Sequence, residues 1–404
     1  MAWTTLGPTM QHTMDADSID RLKQIDALLA TGNQSWLFGA GISMQAGIPL
    51  MWPLTDRVFA IAGERGRTDD LAILQEIKGQ LDETCHIEQM LSHLGDYRSM
   101  AERAKDKKAT IGSHTLDLAA IDAFHVRILA WIADTIRWGY KPAQSNAPES
   151  IGDRDHPIVN VNGHVAFMEA LFNRAQAGVA ERRRAVRVFT TNYDTLLEDA
   201  LALSRVPYWD GFDGGALAYR NHRYGDAEPD QRYRAHVVKL HGSIDWRLSD
   251  DDRVWRVRDG DVYPSKADRV LIYPQATKYL ATQRDPFAAQ FDLFRRALSS
   301  SGENVLATCG YSFGDEHINQ EIELAMQRPE NKTTVIAFAD KLNTTLANWQ
   351  KFGWANRLYI ATGSGLYVGA DGPFAAPPEG EKWDWWTFSG VTQLLSSGAE
   401  SFLA

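Results

Sequence analysis

Cysteine is scarce in this chain, since Cys85 and Cys309 are the two cysteines among 404 residues. Two cysteines cannot build a disulfide framework or a four-cysteine zinc site, so a disulfide-rich scaffold and a zinc ribbon are both excluded. Long uncharged apolar runs, which a membrane-spanning helix needs, are also missing. Residues 1–18 lack the basic and then apolar pattern of a secretion signal, and we therefore expect a soluble, cytoplasmic protein.

Basic residues are in the minority. The chain has 42 Lys and Arg residues against 52 Asp and Glu residues, which gives a formal net charge of −10 at pH 7. This excess of negative charge argues against direct nucleic-acid binding, because the phosphate backbone requires a positive surface. Hydrophobic residues make up 44% of the chain, enough for a large core. We therefore expect a globular protein that binds neither nucleic acid nor a membrane.

Short apolar segments alternate with helical patterns, mainly in the second half of the chain. These segments are 35–38, 185–189, 236–240, 270–273, 304–309 and 333–338. The alternation is typical of parallel sheets that are covered on both faces. The predicted fold class is therefore α/β: a Rossmann-like parallel sheet with helices on both faces, a large helical insertion and a short C-terminal extension.

Changes in composition divide the chain into three parts. Residues 1–34 are predicted to form an N-terminal arm and a helix, with Ser18 as its N-cap. Residues 35–362 are predicted to form the main domain, and apolar stripes at helical spacing place the helical insertion at about 55–181. Residues 363–404 are rich in Gly, Ala and Pro and then in aromatic residues, which indicates a C-terminal extension.

Aromatic residues are dense near the C-terminus. The set consists of Trp383, Trp385, Trp386 and Phe388. A terminal strand that packs on its own domain explains it, and so does an interface with another chain, because aromatic residues are enriched at interfaces.

A glycine-rich loop follows the segment 35–38. It contains Gly39, Gly41 and Gly47, but the third glycine comes six residues after the second rather than three, so the usual dinucleotide-binding fingerprint is not met. Glycines after a strand let backbone N–H groups approach a pyrophosphate. A strand-to-helix turn without a ligand explains the same residues equally well.

Three more polar or glycine-containing loops follow predicted strands. Thr190, Asn192 and Asp194 follow one strand, His241 follows the next, and the loop 310–315 follows a later one. The carboxyl ends of parallel strands lie at one edge of the sheet, where open α/β folds bind ligands. Each loop alone could be an ordinary turn, but four of them at one edge indicate a binding site.

Together these loops resemble the sirtuin superfamily, and more closely its bacterial NAD-hydrolysing branch in anti-phage defence. The motifs, in chain order, are GAG-x-S-x-x-x-GIP, T-x-N-x-D, a strand-end histidine and a G-x-S-like loop, over about 36–338. The resemblance implies that 35–362 is an NAD-binding catalytic domain. It implies NAD+-binding positions at Gly39, Ala40, Gly41, Ser43, Gly47, Ile48, Pro49, Thr190, Gly310, Tyr311, Ser312, Phe313 and Asp315.

Asn192, His241 and Asp194 are the predicted catalytic residues. The amide of Asn192 can orient ribose hydroxyls or an attacking water, and the imidazole of His241 can take up a proton near neutral pH. Asp194 can hold or polarise this arrangement. Nicotinamide is cationic in NAD+ and leaves as a neutral molecule, so its departure through an oxocarbenium-like transition state needs no strong general acid.

The chain departs from the deacetylating sirtuins in two ways. Thr191 stands where they have Gln, and their paired CxxC zinc ribbon is missing. Since the ribbon supports the protein-substrate cleft, its loss favours an NAD+ hydrolase that releases nicotinamide and ADP-ribose. A protein deacylase, an ADP-ribosyl transferase and a non-catalytic NAD or ADP-ribose sensor remain as alternatives.

The resemblance also implies a biological role and partners. It indicates NAD+ depletion in anti-phage defence by abortive infection, with control by homo-oligomerisation or by a HerA-type ATPase partner. The stretch 86–91 also looks like a helix of these defence proteins, although core packing explains its apolar stripe. No metal is expected, because Asp315, Glu316 and His317 are adjacent in the chain and are better explained by a helix cap at Asp315.

Overall fold

The computed structural model describes residues 15–173, 184–230, 232–249, 253–258, 269–272, 285–299 and 301–402. The predicted N-terminal arm at 1–14 and the end of the predicted insertion at 174–181 lie outside these residues. The helices in the described part are α1 Ala16–Leu29, α2 Gly41–Met44, α3 Met51–Arg65, α4 Asp70–Gly79, α5 Ile87–Arg103, α6 Leu118–Trp138, α7 Asn162–Asn173, α8 Leu196–Leu203, α9 Phe287–Leu298, α10 Glu316–Met326, α11 Thr344–Trp349 and α12 Phe388–Ser397. None of these described helices combines the length and the apolarity that crossing a membrane requires.

Strands occur throughout the described chain. They are β1 Gln34–Phe38, β2 Lys108–Ile111, β3 His114–Asp117, β4 Tyr140–Lys141, β5 Ser150–Ile151, β6 Val186–Thr190, β7 Tyr208–Trp209, β8 Phe212–Gly214, β9 Leu217–Arg220, β10 Ala235–Lys239, β11 Gly242–Leu248, β12 Val254–Val257, β13 Arg269–Ile272, β14 Asn304–Cys309, β15 Thr333–Phe338, β16 Leu358–Thr362, β17 Gly365–Val368 and β18 Asp371–Phe374.

A nine-stranded sheet forms the centre of the structure, in the order β18-β17-β16-β15-β14-β1-β6-β10-β7. The strands from β16 to β7 are parallel, and β17 and β18 add an antiparallel edge. The predicted α/β fold is confirmed. Phe38 at the end of β1 pairs with Thr190 on one side and with Cys309 on the other. The strand order therefore reverses at β1, the kind of point at which open sheets bind ligands.

Helices cover both faces of this sheet, because successive side chains of a strand point to opposite faces. Trp36 and Phe38 pack in one cluster with α1, α7, α8 and α12, whereas Leu37 packs in another with α9, α10 and α11. Phe167 of α7 stacks on Phe388 of α12 with ring centroids 4.9 Å apart. Burial on both faces explains why the strands are almost continuously apolar.

The segment predicted as a helical insertion, about 55–181, contains most of α3, all of α4 to α7, and two short hairpins, β2–β3 and β4–β5, which were not predicted. Helix α7 packs on the main sheet, whereas α3 to α6 form their own hydrophobic cluster, which includes Leu74, Leu91 and Ile128. Tyr193, after β6, and Ile244, in β11, belong to the same cluster. The insertion therefore packs directly on loops at the carboxyl edge of the sheet.

Residues 270–272 of the predicted segment 270–273 are not part of the parallel sheet, so this prediction is wrong, and residue 273 lies outside the described residues. β13 pairs antiparallel with β11 in a second sheet, in the order β13-β11-β12-β9-β8. The chain leaves the main sheet after β10, since β11 begins almost at once with Gly242 at φ 85°. A short apolar segment has the same sequence pattern whichever of the two sheets it joins. The sequence therefore could not predict that β13 pairs with β11.

Helix α1 has Asp15 as its N-cap, so the prediction of Ser18 is wrong. The carboxylate of Asp15 accepts hydrogen bonds from the N–H of Ser18 at 2.8 Å and from its hydroxyl at 2.9 Å. Both residue types are good N-caps, and the residue nearer the N-terminus takes this position. The hydroxyl of Ser18 instead accepts the N–H of Ala375 at 2.9 Å, which connects α1 to the residue after β18.

The aromatic C-terminal segment packs on its own chain. The indole N–H of Trp385 is buried and donates to the carbonyl of Thr362 at 2.6 Å. Trp383 donates to the carbonyl of Ala375 at 2.7 Å. The interpretation of this segment as a terminal strand is wrong, because Phe388 begins a helix, and aromatic content alone does not distinguish the two elements.

Candidate active site

A cavity of about 710 Å³ opens at the carboxyl edge of the main sheet. Its wall consists of the loops after β1, β6, β10, β14 and β15, together with residues of the insertion and one residue of the C-terminal segment. The predicted site residues that line it are Gly39, Ala40, Gly41, Ser43, Ile48, Pro49, Asn192, Asp194, His241, Gly310, Tyr311, Ser312 and Asp315. The structure therefore brings the four predicted loops together.

Three predicted positions, Gly47, Thr190 and Phe313, are not among the residues that line this cavity. The hydroxyl of Thr190 accepts the N–H of Asn192 at 3.0 Å. Phe313 is buried in the core below the loop after β14. Gly47, at φ 90°, accepts the N–H of Tyr140 at 2.9 Å. These three residues stabilise the loops of the site but do not line the cavity.

Close contact between two loops explains the glycines after β1. The N–H of Gly39 donates to the carbonyl of Cys309 at 3.1 Å, and that of Gly41 donates to the carbonyl of Gly310 at 3.0 Å. A Cβ atom on Gly39 would lie 2.5 Å from the carbonyl oxygen of Gly310, and one on Gly41 would lie 2.8 Å from its Cα. These two N–H groups therefore donate to backbone carbonyls of the protein itself. Because glycine has no side chain, the loops after β1 and β14 can come into direct contact.

Ser43 connects the loop after β1 to the loop after β6. Its hydroxyl donates to Oδ2 of Asp194 at 2.7 Å and accepts from Nδ2 of Asn192 at 3.0 Å. The other carboxylate oxygen of Asp194 accepts the N–H of Leu196 at 3.0 Å, at the start of α8. These bonds fix the orientation of the Asn192 amide.

The carbonyl oxygen Oδ1 of Asn192 is buried and accepts no hydrogen bond from the described residues. Asn192 is only 7% exposed, yet it lines the cavity. An unsatisfied buried acceptor costs about 1–3 kcal/mol, and a ligand that donates a hydrogen bond removes this cost. Ribose hydroxyls are donors of this kind, so Asn192 fits a nucleotide ligand.

His241 and Asp315 form a pair on the cavity wall, with Nε2 of His241 2.9 Å from Oδ2 of Asp315. Asp315 is also the N-cap of α10, where its other oxygen accepts the N–H of His317 at 3.2 Å. Both side chains are largely buried. A carboxylate in this position orients an imidazole and stabilises its charged form. The sequence predicts Asp315 as an NAD+-binding residue, but it does not predict this contact with His241.

Tyr193 and Glu88 join the loop after β6 to the insertion. The hydroxyl of Tyr193 donates to Oε1 of Glu88 at 2.6 Å, and both residues line the cavity. Burial and the carboxylate of Glu88 raise the pKa of Tyr193 well above its usual value, so the phenol remains a donor at neutral pH. Neither residue was predicted as part of the site. The sequence held two signals: Tyr193 stands between Asn192 and Asp194, and Glu88 belongs to the stretch 86–91, which resembles a helix of the defence proteins.

A buried ion pair supports the loop after β6. Nζ of Lys239, on β10, lies 3.2 Å from Oε1 of Glu198, on α8, and also donates to the backbone carbonyl of Asp194. Burial raises the pKa of Glu198, and the charge of Lys239 opposes this shift. The pair holds β10, α8 and the loop that carries Asn192 in one arrangement.

Two groups of cavity residues were missed. At the end formed by the insertion they are Leu50, Met51, Trp52, Leu54, His86, Glu88 and Ile136. At the end beside β15 they are Phe338, Ala339, Asp340, Lys341, Asn343 and Trp386. The second group had a signal, because 333–338 was a predicted strand whose following loop belongs at the same edge. Within the described residues, no three or more His, Cys, Asp or Glu side chains are grouped to hold a metal ion.

The fold and the cavity define the class: an α/β protein with a cavity where the strand order of its parallel sheet reverses, which is the place at which open sheets bind ligands. Residues 186–353 match the family model described as a SIR2-like domain. The matched segment contains Asn192, His241 and Asp315, but not the glycine loop after β1. The match supports a sirtuin-like family and fits NAD-dependent enzymatic activity in a broad sense. No curated protein matches the chain.

Proposed function

We propose that this chain is an NAD+ glycohydrolase that cleaves the bond between nicotinamide and ribose. The observation that carries the proposal is that Asn192, whose amide oxygen accepts no hydrogen bond from the described residues, and the pair of His241 with Asp315 line the same cavity. One group suits a ribose hydroxyl, and the other suits proton transfer. NAD+ is the substrate rather than a resident cofactor.

In the proposed reaction, a water oxygen bonds to C1′ of the ribose while the bond from C1′ to the nicotinamide nitrogen breaks. The electron pair of that bond goes to the ring, and nicotinamide leaves as a neutral molecule. His241 accepts the proton of the water, and Asp315 stabilises the imidazolium that forms. Asn192 holds a ribose hydroxyl, with its amide oriented by Ser43. The second product is ADP-ribose.

The variants Asn192→Ala and His241→Ala test this assignment. Each is expected to lower the rate of nicotinamide release from NAD+ by about a hundredfold or more. Chromatography of nicotinamide and ADP-ribose gives the rate, and unchanged thermal unfolding shows that the fold is retained. His156→Ala is the matched control, because this histidine is exposed and does not line the cavity. Full activity of either site variant contradicts the proposal.

The same assay separates the alternative functions. A deacylase removes the acyl group when an acylated peptide is added, and an ADP-ribosyl transferase labels a protein acceptor. A sensor binds ADP-ribose without releasing nicotinamide under any condition. The hydrolase is expected to consume NAD+ with water as the acceptor and to leave the peptide unchanged.

The proposed biological role is NAD+ depletion in the cytoplasm during anti-phage defence, with control by homo-oligomerisation or by a HerA-type ATPase partner. Its support is the resemblance of the four motifs. The test is to measure NAD+ in infected cells that carry the wild-type chain or His241→Ala, each with and without the ATPase. Equal NAD+ levels in all infected cells contradict this role.

A further inference from the structure

The two ends of the cavity differ in character. The end formed by the insertion is mainly apolar, with Met51 and Trp52 in its wall, and Glu88 brings a carboxylate to it. The end beside β15 carries charges of both signs on the adjacent residues Asp340 and Lys341. Among the described residues that line the insertion end, Glu88 supplies the carboxylate, and His86 is the other titratable side chain.

The carboxylate of Glu88 has a defined position. Tyr193 donates to its Oε1 at 2.6 Å, and Glu88 lies in the first turn of α5. The start of this helix is itself held by a capping box, in which the side chain of Gln89 accepts the N–H of His86 at 2.9 Å. Oε1 is thus oriented before any ligand binds.

This end of the cavity is next to the groups proposed to act on the ribose. Tyr193 lies between Asn192 and Asp194 in the chain, and its ring centroid is 6.5 Å from that of His241. The broken bond joins the ribose to the nicotinamide ring. When the ribose lies at Asn192 and the ADP part extends toward the loops after β14 and β15, the ring therefore lies at the insertion end.

The ring charge distinguishes related ligands. The nicotinamide ring of NAD+ is a cation, that of NADH is neutral, and ADP-ribose has no such ring. A carboxylate close to a cation attracts it, and the attraction is stronger at the effective dielectric of a protein surface than in bulk water. A partly buried carboxylate at this end therefore favours the charged ring.

We propose that Glu88 makes the insertion end of the cavity selective for a positively charged ring, so that the chain binds NAD+ in preference to NADH. The inference rests on the proposed function, since it places the ribose at Asn192. During cleavage the positive charge moves only from the ring to the adjacent ribose, so Glu88 stabilises the bound substrate and the transition state alike. Such uniform binding lowers KM and leaves kcat nearly unchanged.

The test measures binding of three ligands to the full-length chain by titration calorimetry. They are a carbocyclic NAD+ analogue that keeps the charged ring but cannot be cleaved, NADH, and ADP-ribose. Glu88→Gln keeps an acceptor for Tyr193 and removes the charge. It is expected to weaken binding of the analogue about tenfold, or 1.4 kcal/mol, with NADH and ADP-ribose nearly unaffected. With NAD+ as substrate, KM should rise by the same factor while kcat stays nearly constant.

Two further variants keep the result interpretable. Glu102→Gln, on the same helix but in a surface ion pair with Arg98, is the matched control and should bind all three ligands like the wild type. Tyr193→Phe keeps the carboxylate and loses its hydrogen bond, so it should retain the preference for the analogue over NADH. If Tyr193→Phe loses that preference as fully as Glu88→Gln, position rather than charge is decisive and the inference is wrong.

The remaining outcomes separate this inference from the proposed function. Unchanged affinity of Glu88→Gln for the analogue, or equal weakening of all three ligands, overturns the role of Glu88 and leaves the hydrolase assignment standing. Failure of the wild-type chain to bind any of the three ligands overturns both.

Discussion

The two sides of the cavity wall are held together by different kinds of contact. Between the loops after β1 and β14 the contact is made by backbone, because Gly39 and Gly41 approach Gly310 more closely than any side chain permits. We call this the glycine contact. On the polar side, the side chain of Asn192 is held by its hydrogen bond to Ser43, and that of His241 is held by its contact with Asp315. Substitutions in the glycine contact should therefore change folding, whereas those on the polar side should change chemistry.

Gly39→Val is expected to have the largest effect. Its Cβ would lie 2.5 Å from the carbonyl oxygen of Gly310, so the backbone must move, and such overpacking lowers the free energy of unfolding by about 3 kcal/mol. Urea unfolding followed by circular dichroism measures the loss. Gly163→Ala is the control, because no atom within 4 Å opposes its Cβ and alanine favours the helix. If the two variants are equally stable, the glycine contact does not hold this side of the wall.

Asp315→Asn should separate chemistry from folding on the polar side. Asn caps a helix as well as Asp does, so the free energy of unfolding should stay nearly constant. The carboxylate beside His241 is lost, and the rate of NAD+ cleavage should fall about a hundredfold. Asp315→Ala should show the same loss of rate and also lose about 1 kcal/mol of stability. A fully active Asn variant would show that the carboxylate beside His241 plays no part in the reaction.

The smallest expected effect is an acid sensitivity, and His164 should be one source of it. This residue is 1% exposed, and neither ring nitrogen has a hydrogen-bond partner among the described residues. Burial lowers its pKa below 6.5, and the charge of Asp194 opposes this shift. Below about pH 6.5 the unfolded state therefore binds a proton that the folded state does not, and the free energy of unfolding decreases as the pH falls.

The test compares urea unfolding between about pH 5 and pH 8. His164→Phe should flatten the dependence by at most about 1.4 kcal/mol per pH unit. The exposed His156→Phe should leave the dependence as in the wild type. The same slope in both variants would assign the acid sensitivity to groups other than His164.

The location of residues that directly follow a strand could be predicted from the sequence. A short apolar segment identifies a buried parallel strand, and parallel strands end at one edge, so Asn192 and His241 could be placed together without a structure. The contact of His241 with Asp315 could not be predicted in the same way. β10 and β14 are separated by β6 and β1 in the sheet, so the distance between the two side chains depends on the shapes of their loops.

Contacts that depend on how one helix or loop packs on another could not be predicted from the sequence. The stripe of Ile87, Met90 and Leu91 predicts which face of α5 is buried, but it does not say that Glu88 reaches the loop after β6. The same holds for Trp386, which lines the cavity although it lies far along the chain from the four motifs. In both cases the information lies in how one element docks on another.

The central position of β1 has a consequence for synthesis of the chain. β1 is translated well before its partner strands, because Phe38 pairs with Thr190 and with Cys309, which follow it in the chain at long intervals. Pairing across such long intervals of chain slows folding, because large loops must close before the contacts form. Trp36 and Leu37 are therefore exposed on the nascent chain and suit it to chaperone binding. The cavity cannot be assembled until most of the protein has been made.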